Sequence, residues 1–264
     1  MWTLLAATAF ADPAGACTEG GLETGFASVS PRAGQLGSGF RPCARDAVGL
    51  TLGGALVVDA DNFYGNIAGG ATVDGSKQLG RWRVHGSVEL LRADLLISAF
   101  SDTKLGLGHT MVGVQRELVA SNKLVVTADS RVVLPTATAL YEHARPLAID
   151  LGVGLDLAAT PWLRVHGHLA GLGSVALSAG PAAPWGGLDA RVGAEARAGK
   201  VVALVVDADV TYGWTGGGAL EAVVVAPGLR FGLGDLGIEV SGWVPLVATG
   251  RQPMAVSMRP SWRF

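Results

Sequence analysis

The sequence predicts an all-β chain, a transmembrane antiparallel up-and-down β-barrel of about 12 strands, and three observations predict it. The first is composition. Hydrophobic residues make up 49% and mean hydropathy is +0.39, while charged residues reach only 16%, against ~25% in ordinary globular domains. Yet charges interrupt every apolar run before the ~18–20 residues of a membrane helix. The second is period: from about Val48 the chain repeats segments of alternating apolar and polar residues, each closed by a turn, as strands with one apolar face require. The third is connection length, with tight links at 198–200, 159–161 and 231–235 alternating with longer ones at 92–103, 135–145 and 174–185. Short turns at one end and long loops at the other are how outer-membrane barrels are built. A secreted soluble β-sandwich would instead scatter its aromatic residues through a core.

The elements follow in order. Residues 1–11, MWTLLAATAFA, read as the back end of a secretory signal with a small-x-small cleavage pattern at Ala9-Phe10-Ala11. A Gly/Ser/Pro-rich segment covers 12–46 and holds both cysteines, Cys17 and Cys43. On an exported chain they are a disulfide candidate, with a lipid anchor on Cys17 as the rival. The barrel occupies 47–264. Its strands are expected near 47–59, 63–73, 81–91, 104–117, 122–134, 146–159, 161–173, 186–198, 201–213, 219–231, 235–247 and 253–264. The sixth alternates most cleanly, setting Leu147, Ile149, Leu151, Val153, Leu155 and Leu157 against Asp150, Gly152, Gly154 and Asp156. An even number returns both ends of the barrel to the periplasmic, short-turn side. Trp162, Phe231, Trp262 and Phe264 fall near that side, and Phe63, Trp185, Tyr212 and Trp214 near the other, as two interfacial belts. The last strand carries Trp262 and ends on Phe264, similar to the C-terminal aromatic signal read by barrel-insertion machinery. It is expected to pair with the first strand, leaving no free edge.

If the apolar face meets the lipid bilayer of a Gram-negative outer membrane, the polar face lines the lumen. The expected lumen-lining residues are Arg81, Arg83, His85, Glu89, Asp129, Arg131, Asp150, Asp156, Arg164, His166, His168, Asp189, Arg191, Glu195, Asp207, Asp209, Glu239 and Arg259. The turn near Lys200 brings Arg191 beside Asp207 or Asp209; the turn near Thr160 brings Asp156 beside Arg164 or His166. The two signs are roughly balanced, which points to structural ion pairs before a one-sign selectivity ring. Net charge is −2 and gives no reason to propose nucleic-acid binding. No cofactor is implied. His166-Gly167-His168 puts two imidazoles on one face, but no third metal ligand is identifiable. His85-Gly86-Ser87 resembles the His-x-Ser of outer-membrane phospholipase A, but its parity turns it to the lumen instead of the lipid. A hydrolase is therefore the third reading, and the chain is expected not to be an enzyme.

Residues 105–137 contain Gly106-Leu107-Gly108-His109 and Leu134-Pro135-Thr136-Ala137, and a Pro227-Gly228-Leu229-Arg230-Phe231 run follows later. This pattern resembles the transporter-like outer-membrane barrels associated with the meta-pathway of phenol degradation. In that family the first motif has Asp where His109 stands, and the second has Gly where Ala137 stands. The resemblance implies a monomeric, porin-like barrel that passes small solutes, hydrophobic or aromatic ones among them. The alternative is a barrel closed by its ion pairs or by residues 12–46, with a structural or surface role.

Overall fold

The computed structural model describes residues 46–59, 64–97, 102–121, 123–136, 138, 146–176, 185–199, 201–214, 218–233, 236–248 and 254–263. The signal segment, the cysteine pair, Phe63, Phe264 and the side chains of Trp185 and Arg259 lie outside the described residues. Those described form thirteen strands: β1 (Ala47–Asp59), β2 (Tyr64–Leu79), β3 (Trp82–Ile97), β4 (Asp102–Gly106), β5 (Thr110–Ala120), β6 (Leu124–Leu134), β7 (Pro146–Ala158), β8 (Leu163–Ala176), β9 (Trp185–Ala198), β10 (Val202–Gly213), β11 (Ala219–Leu233), β12 (Leu236–Ala248) and β13 (Met254–Arg263).

Each strand pairs antiparallel with its neighbour in sequence from β5 to β13. The ring then closes through β13 to β1, with Ala47 opposite Arg263 and Leu56 opposite Met254, and through β1–β2 and β2–β3. Both β4 and β5 lie on the same side of β3, at Arg92–Leu96 and Trp82–Val88 respectively. They are two halves of one pass, so the wall has twelve passes. Closure satisfies every ladder internally, a requirement of a sheet that crosses hydrocarbon.

Polarity is inverted relative to a soluble domain. On β7, Leu151 is 62% and Val153 52% exposed, whereas Asp150 is 0% exposed. The final strand behaves alike, with Met254, Val256, Met258 and Trp262 exposed. Wall residues thus put aliphatic groups outside and bury carboxylates and guanidinium groups inside. An outer surface of that composition is matched to lipid.

Two regions differ from the strand pattern expected of the sequence. The second strand runs on to Leu79, and a two-residue turn follows, Gly80-Arg81, with Gly80 at φ 65°. Asp74-Gly75-Ser76 has the composition of a turn, but Asp74 is buried on the inner face, where a barrel accepts polar residues. The third strand likewise extends to Ile97, so the link expected at 92–103 shrinks to 98–101. A bulge turns both Leu90 and Leu91 outward before the inward alternation resumes at Arg92. The short-turn end then joins strands through 80–81, 121–123, 159–162, 199–201 and 234–235.

Candidate lumen lattice

The inner face is a lattice of buried ion pairs. Arg131 on β6 and Asp150 on β7 are register partners, with their charged groups 2.5 Å apart and both side chains at 0% exposure. Arg164 Nη2 and Nε reach one oxygen of Asp156 at 2.6 and 3.1 Å. Arg191 lies 3.0 Å from Asp209. Arg230 bridges two carboxylates, Glu195 at 2.5 Å and Glu239 at 2.7 Å, while Arg197 adds a second contact to Glu195 at 2.9 Å. Asp189, fully buried, accepts a hydrogen bond from Thr211 at 3.2 Å. Partners at this depth need each other, since removing one strands a charge without water.

The histidines use a different device. His166, on β8, sits in one register row with Gly193 on β9 and Asp207 on β10. Its ring crosses the glycine and meets Asp207. His168, two residues along, reaches the other way, over Gly152 on β7 to Asp129 on β6 at 3.0 Å. A third row sets His85 on β3, Gly113 on β5 and Arg131 on β6 side by side. At all three glycines a Cβ would overlap the imidazole. Glycine is required here for close approach, not for turning: it leaves room for each ring, and His166 and His168 thereby tie strands that are not neighbours.

Of the residues expected on the lumen face, Arg83, His85, Glu89, Asp129, Arg131, Asp150, Asp156, Arg164, His166, His168, Asp189, Arg191, Glu195, Asp207, Asp209 and Glu239 are buried. Arg81 departs from the expectation: it is exposed in the turn after β2, because β2 continues six residues past the expected end at 73. Asp156 lies opposite His166 in register and pairs with Arg164, and Arg191 lies opposite Asp209 and pairs with it. His166 and His168, the two imidazoles expected on one face, meet separate carboxylates, Asp207 and Asp129. His85 and Ser87 are both inward, and Ser87 makes no hydrogen bond to His85 among the described residues.

Sequence reasoning missed Arg230, Arg92, Asp74 and Gln115, all buried. Arg230 had a usable signal: it and Glu239 are register partners across the link at 234–235. The inner face also has apolar breaks, Val133 and Ala148 packed with Met111, and Val205 and Ala226 packed with Trp243.

The two resemblance motifs meet in space. The regular ladder is interrupted at 107–109, where Gly108 and His109 keep backbone bonds to Glu89 and the Glu89 carboxylate accepts the His109 N–H at 3.2 Å. Thr136 donates to the Gly108 carbonyl at 3.0 Å, and the Thr138 N–H to the Leu107 carbonyl at 2.8 Å. These bonds clasp the segment after β6 onto the gap between β4 and β5.

A closed, inside-out ring of twelve passes has counterparts among solved structures. An outer membrane channel from Pseudomonas putida F1 superposes with a TM-score of 0.63 at 12% identity, over 83% of this chain and 96% of that one. The fold is that of outer-membrane β-barrels. The NanC porin gives a TM-score of 0.54 at 9% identity, over 81% of this chain and all of that one. The KdgM porin, solved in complex with disordered oligogalacturonate, gives 0.53 at 6% identity, over 81% and 99%. No family model and no curated protein sequence matches the chain. At such low identities the likeness is one of fold, and the chemistry of the interior has to speak for itself.

Proposed function

We propose that the protein is an outer-membrane channel that passes small solutes along a narrow polar lumen. The observation that carries this reading is the inner face itself: a closed wall lined by charged groups of both signs inside an apolar exterior. Paired charges lower any preference for anions or cations, so the path discriminates by size and contact more than by charge. The apolar breaks around Met111 and Trp243, together with the resemblance to phenol-pathway barrels, favour small solutes with hydrophobic or aromatic parts. Phe264 and Trp262 serve as the signal to the insertion machinery, and the barrel works as a monomer.

The second reading is a closed barrel, and a specific observation favours it: Arg131, Asp150 and Asp189 are 0% exposed. An interior that excludes water there would stop solutes as well. Purified protein in planar bilayers separates the two. Discrete conductance steps with weak ion selectivity support the channel; a folded barrel that stays silent across repeated insertions assigns the structural role.

A further inference from the structure

Most of the charge on this wall points inward, but Arg116 does not. On β5 the inward residues are Gly113 and Gln115, so Arg116 lies on the lipid side. There its guanidinium stacks over the Trp82 ring, 5.1 Å from the centroid, a cation–π contact between register partners. The neighbouring carboxylate cannot serve it: Glu117 points to the other face and is held by Gln78 Nε2 at 3.0 Å. Among the described residues neither Arg116 nor Arg81 has an ion-pair partner. The Arg81 carbonyl accepts the Glu117 N–H at 2.8 Å, which ties the Gly80-Arg81 turn to β5 one residue beyond Arg116.

The surroundings are apolar. Val112, Val114, Val84 and Trp82 are exposed on the same outer surface, and a bulge after Glu117 turns both Leu118 and Val119 outward. A charge set in such a surface needs an anion, because hydrocarbon offers no solvation. Arg116 sits at the short-turn end, since its register partner Trp82 directly follows the Gly80-Arg81 turn. At that end the available anions are headgroup phosphates of the periplasmic leaflet, and a planar guanidinium suits their oxygens.

We propose that Arg116, braced on Trp82, forms a site for the phosphate of an anionic phospholipid, with the acyl chains lying on Val114, Val84 and Val112. The ammonium of a zwitterionic headgroup is repelled by the Arg116 guanidinium, so the site prefers phosphatidylglycerol to phosphatidylethanolamine. The test is native mass spectrometry of the detergent-solubilised full chain with equimolar amounts of the two lipids, matched in acyl chains. The wild type is expected to retain phosphatidylglycerol about fivefold over phosphatidylethanolamine, the attraction of one basic group for an anionic surface. Arg116→Gln should bring the ratio near one, while Lys123→Gln, on the β5–β6 link, should leave it unchanged. Equal retention by the wild type overturns the proposal without any variant. So does a preference that survives Arg116→Gln in protein shown to be folded by its heat-dependent gel mobility.

Discussion

Arg131 and Asp150 offer the sharpest test of the interior. They are register partners on β6 and β7, 2.5 Å apart and without solvent exposure. Arg131→Met keeps a long side chain but leaves Asp150 buried and unpaired, with Asp129 two residues along β6 on the same face. Breaking a buried pair this way costs about 3–5 kcal/mol. Charge centres about 4 Å apart at an effective dielectric of 20 attract by about 4 kcal/mol, which sets the scale of the coupling. The double variant Arg131→Met/Asp150→Leu removes both charges and should cost far less than the two single changes added together. Urea titration of the barrel refolded in lipid vesicles, followed by tryptophan fluorescence and gel mobility, measures all four corners of the cycle. Single losses below about 1 kcal/mol that simply add would mean the pair behaves as an exposed one. The lattice reading would then fail.

Three further outcomes are expected. Val153→Arg, on the outer face of β7, should cost about 2–4 kcal/mol by the same titration, as arginine does at a barrel midplane. Gly193→Ala would drive a methyl into His166 and Asp207, whereas Gly171, with nothing within 4 Å, has room for one. The first should cost about 1–3 kcal/mol as overpacking and the second should be near neutral, read as the temperature at which the folded gel band disappears. Asp46, just before β1, feels partial burial, which pushes its carboxyl up, but Lys77 and the Gln78 N–H outweigh this and hold its pKa below the ordinary value. The stability it contributes is therefore present above the unfolded carboxylate range and lost as pH falls through the lower folded value. Asp46→Asn should flatten that acid limb in a pH series of unfolding midpoints.

The wall was legible in the sequence wherever both faces carried a clear signature. On β7 every second residue from Leu147 is aliphatic, and both parity and strand limits follow. The alternation failed where composition mimicked a turn: Asp74-Gly75-Ser76 breaks a hydropathy pattern, though in the barrel it alternates lumen and lipid like the rest. It failed again at 107–109, because an interrupted pass needs the Glu89 and Thr136 contacts from other strands to be seen. Neighbouring pairs such as Arg191 with Asp209 were within reach, since a tight turn fixes register. Pairs that skip a strand were not, because nothing local marks Gly152 as the place where a ring from β8 crosses to β6.

Those crossings bear on how the barrel is made. A hairpin of β8 and β9 can form its own ladder, but His166 meets Asp207 only once β10 is in place, and His168 meets Asp129 only once β6 as well as β7 is there. No growing edge of two strands can bury these imidazoles with their partners. The interior is therefore rewarded in blocks of three strands, which penalises release of a half-assembled sheet and ties successive hairpins into one cooperative unit.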